Sequence, residues 1–368
     1  MNNTIKLAVA SALLAAASTA SAAGGIVAGD WTLDIGGNVN AFYTHTDKNA
    51  TGVNDQSTIT TGLLPNFLSV SGKTRQNDLD VGFTISIQPG AATDRALTTG
   101  TMNQRQAFLT FGDASWGSIK LGKDLGIYAS DAILSDMTLL GVGAGGANAA
   151  GNTTLGRIGY GYQYADWKSQ IAYTSPNWNG FSFTAGITQP WSAAGGAQSE
   201  PAFEAKASYA WTGDVAGKVW VSGISQNVDL SNTKSERADA FDIGANVNLA
   251  GFGLTAYYGQ GNGTGTLGQM TDPTASLDNE DWYVQATYTI PGVGTKLGVS
   301  YGESNIDNKK VNGASVPENQ NDMWTIGVYH PLTKHLNLVA EYSQAQNEVK
   351  GVQTADADTI SLGAILFF

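Results

Sequence analysis

The segment Asp358-Thr-Ile-Ser-Leu-Gly-Ala-Ile-Leu-Phe-Phe368 decides the fold of this chain. Every second residue counted back from the end is apolar: Phe368, Leu366, Ala364, Leu362 and Ile360. The opposite face becomes polar away from the end: Phe367, Ile365, Gly363, Ser361 and Thr359. An unpaired apolar strand at the edge of a soluble sheet invites aggregation. A closed barrel in lipid pairs both of its edges and turns the apolar face to the bilayer, so this segment predicts the closing strand of a membrane barrel.

The first residues are organised like a secretory signal peptide. Lys6 gives a positive region, residues 7–17 form a short apolar region, and Ala20-Ser21-Ala22 is a small-residue cleavage site. An uncleaved anchor helix is the less favoured alternative, because the apolar run is shorter than the roughly 20 residues that a span requires. We expect a signal peptide over residues 1–22 and one barrel domain over residues 23–368.

The composition excludes several classes of protein. The formal net charge is -12, and an acidic chain argues against nucleic acid as a partner, which requires a basic surface. The chain has no cysteine, so it has no disulfide framework and no thiolate metal site. It contains 46 glycines together with 14 tyrosines and 9 tryptophans, a composition typical of strands and turns. We expect no cofactor and no bound metal.

Strict alternation of polar and apolar residues is the dominant pattern of the chain. Between residues 78 and 88, for example, one face carries Leu79, Val81, Phe83, Ile85 and Ile87. Such alternation predicts strands with one apolar and one polar face. We place sixteen of them at about 30–45, 66–75, 77–88, 103–112, 116–123, 167–175, 181–190, 201–211, 218–229, 237–248, 252–261, 280–290, 295–305, 322–330, 336–347 and 356–368.

The lengths of the connections distinguish a membrane barrel from a soluble sandwich. Short turns lie at 76–77, 112–115, 176–180, 213–217, 250–251, 291–294 and 331–335. Long connections alternate with them at 46–65, 89–102, 124–166, 262–279 and 306–321. Short turns on one side and long loops on the other are typical of barrels in the bacterial outer membrane. The sequence therefore predicts an all-β, 16-stranded antiparallel transmembrane β-barrel, closed by pairing of its last strand with residues 33–43.

Two stretches carry a family resemblance. Residues 103–112 with 115–128 form an arginine-led strand, a glycine-containing turn, and a strand that ends in Gly122-Lys123. Residues 171–181 contain Tyr173-Thr-Ser-Pro176 followed by Gly180-Phe181. The chain resembles the general porins of Gram-negative bacteria in both stretches, and its terminal Phe368 resembles the assembly signal of outer-membrane barrels. The resemblance implies a homotrimer that contacts outer-membrane lipid and lipopolysaccharide and lets small hydrophilic solutes and ions pass.

The resemblance also implies that the third loop folds into the barrel and narrows it. The loop would span residues 124–166, the longest connection, and would carry Asp124, Asp131 and Asp136 at the constriction. Its glycine-rich part, residues 141–151, is small enough to pack inside a lumen. A loop of this length in a compact domain is usually functional or disordered.

Basic side chains are expected on the pore wall opposite the loop, where they would create a transverse field. Arg105 and Lys123 match basic positions of the family. Lys120 and Lys168 fall on the inward parity of their strands, and Arg157 lies at the end of the loop. Other expected basic positions carry Gly37 or Asn38, and Phe67. Because this basic cluster is thin and the chain is acidic, the sequence predicts a weak preference for cations.

Three other functions remain open at the level of sequence. A substrate-selective channel could use the same barrel. An outer-membrane hydrolase would need a histidine relay, and His45, His330 and His335 are scattered along the chain. A structural or adhesive barrel would conduct no ions. Asp356 and Asp358 could contribute to a divalent-ion site, although a solvated strand start is the simpler reading.

Overall fold

The computed structural model describes residues 25–49, 54–91, 102–144, 153–191, 199–231, 234–265, 277–307, 309–311 and 314–368. The predicted signal peptide, residues 1–22, lies outside the described residues, as do residues 145–151 of the glycine-rich part of the third loop. Within the described ranges, no helix is long and apolar enough to cross a membrane.

Strands account for most of the described chain. They are β1 (Ile26–Ala28), β2 (Trp31–Lys48), β3 (Gln56–Thr60), β4 (Phe67–Gln76), β5 (Leu79–Pro89), β6 (Met102–Asp113), β7 (Gly117–Leu125), β8 (Trp167–Thr174), β9 (Phe181–Thr188), β10 (Ala202–Trp211), β11 (Val215–Ser231), β12 (Lys234–Leu249), β13 (Phe252–Asn262), β14 (Asp278–Thr289), β15 (Lys296–Ile306), β16 (Lys309–Val311), β17 (Ala314–Val316), β18 (Asn319–Pro331), β19 (Leu336–Val349) and β20 (Val352–Phe367). A short α-helix, α1 (Ser130–Ser135), and a 3-10 helix (Met137–Leu140) lie between β7 and β8.

One antiparallel sheet closes on itself to form the barrel. It contains eighteen strands, of which β1 and β3 pair only with parts of β2, so sixteen strands build the wall. Each wall strand pairs with its neighbour in the chain, and β20 pairs with β2 from Asn38–Phe367 to Lys48–Ala357. The predicted 16-stranded barrel, closed by its last strand, is therefore confirmed.

The sequence pattern did not predict the short strands or the helices. β1 pairs with Trp31–Leu33, a stretch of β2 that lies before the part paired with β20, and β3 continues the pairing of β2 beyond β4. β16 and β17 form a separate hairpin. All four are three to five residues long, so none has enough residues for a clear alternation.

The short turns follow from local backbone chemistry. Asn77 and Asp78, which join β4 to β5, have φ values of 49° and 62°, and Ala250 and Gly251, which join β12 to β13, have 50° and 88°. Two consecutive residues with positive φ form the turn that matches the twist of a hairpin. On the opposite side, β19 and β20 are also joined by two residues, Lys350-Gly351, so that side carries short as well as long connections.

The two faces of the wall separate as the alternation predicted. On β20 and at Phe368, which follows it, Ile360, Leu362, Leu366 and Phe368 are exposed on the outer face, whereas Thr359, Ser361 and Ile365 on β20 are buried on the inner face. The backbone of Phe368 continues the pairing, because its N–H donates to Gly37 O at 3.1 Å and its carbonyl accepts from Gly37 N at 3.0 Å. The chain end thus seals the barrel against β2, and the outer apolar band faces lipid.

Candidate functional site

Residues 126–166, which we call the constriction loop, leave β7 after Leu125 and return at Trp167. The Gly126 N–H donates to Asp166 O at 2.8 Å and closes the base of the loop. Beyond that base, the loop forms hydrogen bonds with inward side chains of strands from β10 to β19. The predicted inward folding is confirmed, and the sequence folds this way because the inner wall supplies partners for the backbone of the loop.

Glu204 on β10 anchors the first turn of the constriction loop. Its carboxylate accepts from the backbone N–H groups of Ile127 and Tyr128, both at 2.8 Å, and from Lys168 Nζ at 2.6 Å. Lys168 Nζ also lies 3.9 Å from the centroid of the Trp191 ring. Both charged side chains are almost fully buried. A buried pair with this many additional partners fixes the position of the loop.

Asp131, on helix α1, lies between two lysines of the wall. Its carboxylate forms an ion pair with Lys206 on β10 at 3.3 Å and another with Lys218 on β11. Burial opposes ionisation of this carboxyl, but the two lysines outweigh burial and hold the pKa of Asp131 below its usual value. Asp131 is therefore a charged tether between the helix and the wall.

Asp136 stabilises the 3-10 helix rather than facing water. Its side chain accepts from the Thr138 N–H at 2.9 Å, from Thr138 Oγ1 at 2.6 Å and from the Tyr162 hydroxyl at 2.8 Å. The next residue is held by the wall, since the Met137 N–H donates to Gln285 Oε1 at 2.6 Å. Asp136 thus acts as an N-terminal cap inside the loop.

Glu341 on β19 anchors the middle of the constriction loop. It accepts from the backbone N–H groups of Val142 and Gly143 at 2.7 and 2.9 Å, and from the Tyr329 hydroxyl at 2.6 Å. The segment before β4 also contacts this part of the loop closely: a Cβ on Gly62 would lie 2.2 Å from Gly141 O. Only glycine permits that backbone approach.

Arg157 secures the returning half of the loop. Its guanidinium donates to Met323 O at 2.7 Å and to Ser300 Oγ at 2.5 Å, and the residue is completely buried. Burial lowers the pKa of Arg157. The side chain contacts β15 and β18 through hydrogen bonds and presents no surface to a solute.

An apolar cluster fills the space between the loop and the wall. Tyr162 of the loop packs against Tyr283 and Tyr257, with ring centroids 5.6 and 6.3 Å apart. The buried wall members of the cluster include Phe42, Trp220, Tyr257, Tyr283, Tyr329, Val339 and Ile365. We call the inner faces of β10–β15, β18–β20 and β2 the docked wall, because the loop covers them as a second layer of protein.

The inner faces of β4–β9, which we call the open wall, border a cavity, although Phe67 on β4 and Lys168 on β8 are themselves buried. A cavity of about 420 Å³ lies between the open wall and the loop. The side chains that line it include Phe67, Ser69, Thr84, Gln106, Phe108, Lys120, Asp124, Ile127, Ser130, Leu134, Gln170, Thr174, Thr184 and Lys206. Polar, apolar and charged groups thus share the space that the loop leaves inside the barrel.

The charges around this cavity are unequally accessible. Lys120 pairs with Asp124, and their side chains are 30% and 12% exposed. Lys206 and Lys218 pair with Asp131, and these side chains are 25%, 28% and 5% exposed. In each pair the ammonium group reaches solvent more than the carboxylate does, so the accessible charge at the cavity is positive.

A family model described as Gram-negative porin matches residues 8–350 of this chain. The chain belongs to the Gram-negative porin family. It is therefore an integral barrel of the bacterial outer membrane and a non-enzymatic channel. A search of curated proteins gave no match.

Solved structures share the fold of this porin at low sequence identity. The outer membrane channel DcaP of Acinetobacter baumannii is 16% identical with a TM-score of 0.69, over 94% of this chain and 100% of that chain. The anion-selective porin from Comamonas acidovorans is 15% identical with a TM-score of 0.66, over 92% and 100%. The trimer form of OmpT from Vibrio cholerae is 16% identical with a TM-score of 0.55, over 92% and 99%.

The predicted acidic residues of this porin occupy three different environments. Asp124 lies on strand β7, one residue before its end, and not in the loop as predicted, because the strand continues to Leu125. It lines the cavity with Lys120. Asp131 and Asp136 are on the loop as predicted, but both are buried, since the first is held by two lysines and the second caps the 3-10 helix.

The predicted basic residues also separate. Lys120 lines the cavity, whereas Lys168 and Arg157 are buried anchors and not free wall charges. Lys123 lies on the outer face, because its register partner Ala107 is exposed on the side opposite to the inward Phe108. Its assignment to the pore wall is therefore wrong.

Arg105 is displaced by an irregularity in the pairing of β5 with β6. The register shifts between Ser86 and Gln88, and the Arg105 guanidinium lies 5.8 Å from the ring centroid of Trp167. Trp167 shares the parity of Ile171, which is exposed on the outer face. Arg105 thus lies beside Trp167 near the base of the constriction loop, and its place on the pore wall stays a prediction.

The residues that the sequence did not single out for this porin are Glu204, Lys206, Lys218 and Glu341. All four have inward parity, and Lys206 is the one that lines the cavity. Parity alone could have placed them inside the barrel. It could not separate the carboxylates that bind the loop backbone from the lysines that reach the lumen.

Two of the three histidines lie near opposite ends of the barrel, each beside a hydroxyl group. His45 Nδ1 lies 2.9 Å from Ser57 Oγ, and His330 Nδ1 lies 2.9 Å from Thr295 Oγ1 near the opposite end of the barrel. Asp358 accepts from the Tyr342 hydroxyl at 2.8 Å. In the part of the chain that the structure describes, no group of three or more histidines and carboxylates is arranged to hold a metal ion.

Proposed function

We propose that this chain forms a water-filled channel for passive diffusion of small hydrophilic solutes and ions. The observation that carries the proposal is the cavity of about 420 Å³ between the constriction loop and the open wall, which polar side chains such as Ser69, Thr84 and Gln106 line. Because Glu204 holds the start of the constriction loop and Glu341 holds its middle, the loop stays against the docked wall. Passage is then limited by size and by the charges at the constriction.

We propose a weak preference for anions, which differs from the weak preference for cations predicted from the sequence. The net charge of -12 favours the passage of cations, but charges far from the constriction are screened over about 8 Å at physiological ionic strength. Selection occurs where the passage is narrow and the field is focused. There, Lys120, Lys206 and Lys218 are more accessible than Asp124 and Asp131.

Planar-bilayer recording in a salt gradient tests both the proposed channel and its proposed preference for anions. Step conductances are expected, with a reversal potential of the sign that anion flux gives. Replacing Lys120 and Lys206 by methionine should shift that potential toward cations. Lys334→Met, in the exposed turn between β18 and β19, is the matched control and should leave the potential unchanged. Absence of step conductance contradicts the channel, and a cation-signed potential in the parent protein restores the prediction from sequence.

We also propose that the porin is a homotrimer in contact with outer-membrane lipid and lipopolysaccharide. The support is the family resemblance, the trimer form named for a solved relative of the same fold, and the exposed apolar residues of the outer face. Light scattering in detergent, corrected for bound detergent, measures the protein mass directly. A monomer mass at concentrations at which the barrel stays folded contradicts the trimer.

A substrate-selective channel on the same barrel is the second candidate. The observation that favours it is that Phe67, Phe108 and Leu134 line the cavity beside the lysines. A passage that sorts solutes by size alone has no need of apolar side chains at its narrowest part. Saturable block by one class of solute would distinguish this candidate from simple diffusion.

A further inference from the structure

We propose that the cavity at the constriction binds amphiphilic organic anions, in which one carboxylate is attached to a compact apolar body. The inference rests on the proposed channel and names the class of solute that the channel retains. Two kinds of group meet in the cavity: the ammonium groups of Lys120 and Lys206, and the apolar side chains of Phe67, Phe108 and Leu134. A solute that carries both kinds of group can satisfy both at once.

Lys120 and Lys206 can each donate a hydrogen bond to a further acceptor. An ammonium group has three donors. Lys120 donates to Asp124, and Lys206 donates to Ser130 Oγ at 2.9 Å and pairs with Asp131 at 3.3 Å. Their carboxylate partners are the less exposed members of the pairs. An anion in the lumen therefore reaches the ammonium groups from the open side and is kept apart from the carboxylates.

The apolar surface comes from both sides of the passage. Phe67 and Phe108 belong to the open wall, whereas Leu134 and Ile127 belong to the constriction loop. Lys120 Nζ lies 4.9 Å from the centroid of the Phe108 ring, so the positive charge and the aromatic face are adjacent. A flat ring or a branched alkyl group between the wall and the loop removes apolar area from water on two sides.

This arrangement distinguishes between solutes that a purely electrostatic constriction would treat alike. Chloride and acetate gain the charge interaction but bring little apolar area. Benzyl alcohol brings apolar area without charge, and benzylammonium is repelled by the accessible lysines. Benzoate combines the two favourable contributions, so it is the probe that should remain longest in the cavity.

The test is the block of single-channel chloride current in planar bilayers. Benzoate should cause brief, saturable interruptions at concentrations about tenfold lower than acetate, whereas benzylammonium and benzyl alcohol should cause none at those concentrations. Equal block by benzoate and acetate would overturn the proposal. Absence of step conductance would instead contradict the channel itself, so the two failures are distinguishable.

Two variants locate the site. Lys120→Met and Phe108→Ala should each weaken the block by benzoate about tenfold, since each removes one of the two contributions. Lys334→Met in an exposed turn and Phe252→Ala on the outer face are the matched controls and should block like the parent protein. If Phe108→Ala does not fold, Phe108→Leu replaces it in the experiment. Phe108→Leu should weaken the block by benzoate less than Lys120→Met does. Unchanged benzoate block in both Lys120→Met and the Phe108 variants would overturn the proposal.

Discussion

The docked wall and the open wall share the same alternation of inward and outward residues, but their inward residues have different roles. On the docked wall, inward residues such as Tyr283 and Tyr329 pack against the loop, and inward carboxylates such as Glu204 and Glu341 accept its backbone N–H groups. On the open wall, inward residues such as Thr84 and Gln106 border the cavity. The inner face of one barrel is thus part protein core and part pore lining.

The difference shows how a long loop can be held inside a lumen. A buried backbone segment outside regular structure needs a partner for almost every N–H group. The docked wall provides these partners from rigid strands, and it also buries the apolar side chains of the loop. The anchors Glu204, Gln285 and Glu341 lie on the docked wall, whereas a cavity remains between the loop and the open wall.

The largest expected effect comes from removing an anchor of the docked wall. Glu204→Ala leaves Lys168 buried without its carboxylate, and breaking such a pair costs about 3–5 kcal/mol. It also frees the N–H groups of Ile127 and Tyr128. We expect a lower free energy of unfolding, measured by urea titration of the barrel in lipid vesicles, and noisier single-channel current.

The matched carboxylate on the open wall is Asp124. Its pair with Lys120 is partly exposed, so Asp124→Ala should cost about 1 kcal/mol or less. In the double variant Glu204→Gln with Lys168→Met, no unpaired charge is buried, and most of the loss should be recovered. Equal losses for Glu204→Ala and Asp124→Ala would show that the two walls do not differ as described.

A somewhat smaller effect is expected from the apolar cluster. Met137 is buried between the loop and β15. The contact is close, because a Cβ added to Gly298 on β15 would lie 2.6 Å from the Sδ atom of Met137. Met137→Ala opens a cavity in this cluster and should cost about 2–5 kcal/mol, toward the lower end because the loop can relax. Recording should show that the current fluctuates more, because the loop is less firmly packed.

Thr84→Ala on the open wall is the comparison for this variant. Its side chain borders the cavity and supports no part of the loop, so the free energy of unfolding should change by about 0.5 kcal/mol or less. The current should remain as quiet as that of the parent protein. A destabilisation as large as that of Met137→Ala would mean that the open wall also carries packing.

The barrel could be predicted from the sequence because period-two alternation and turn lengths are local properties. The sixteen wall strands, the closure by Phe368 and the inward third loop all follow from them or from the family resemblance. The division of the inner wall could not be predicted in the same way. Tyr283 and Gln106 both have inward parity, and only the path of the loop decides which of them is covered.

The charged residues illustrate the same limit. Asp136, Glu204 and Asp124 are all carboxylates that end up inside the barrel, yet one caps a helix, one anchors the loop and one lines the cavity. These roles depend on contacts between residues far apart in the chain. The prediction that Lys123 lies on the pore wall was wrong for a simpler reason. The family resemblance matched its position in the chain, but the register of β7 places its side chain on the outer face.

The smallest expected effect concerns the tether between helix α1 and the wall. Lys206 from β10 and Lys218 from β11 face Asp131, and the buried carboxyl group of Asp242 on β12 lies nearby. The pKa of Asp131 is lower in the folded protein than in the unfolded chain, where it is about 3.9. The tether therefore contributes its full stability above that value and loses it as the pH falls through the folded pKa.

Current noise measured at a series of pH values checks this sign. The parent channel should be as quiet at pH 5 as at pH 7, and its noise should rise only as the pH falls through the lowered pKa of Asp131. Asp131→Asn lacks the charge at every pH, so it should be noisier than the parent at pH 7 and should change less on acidification. Because Glu204 still holds the start of the loop and Glu341 still holds its middle, the variant should keep conducting. Noise in the parent channel that rises between pH 7 and pH 5 would assign the tether to a group other than Asp131.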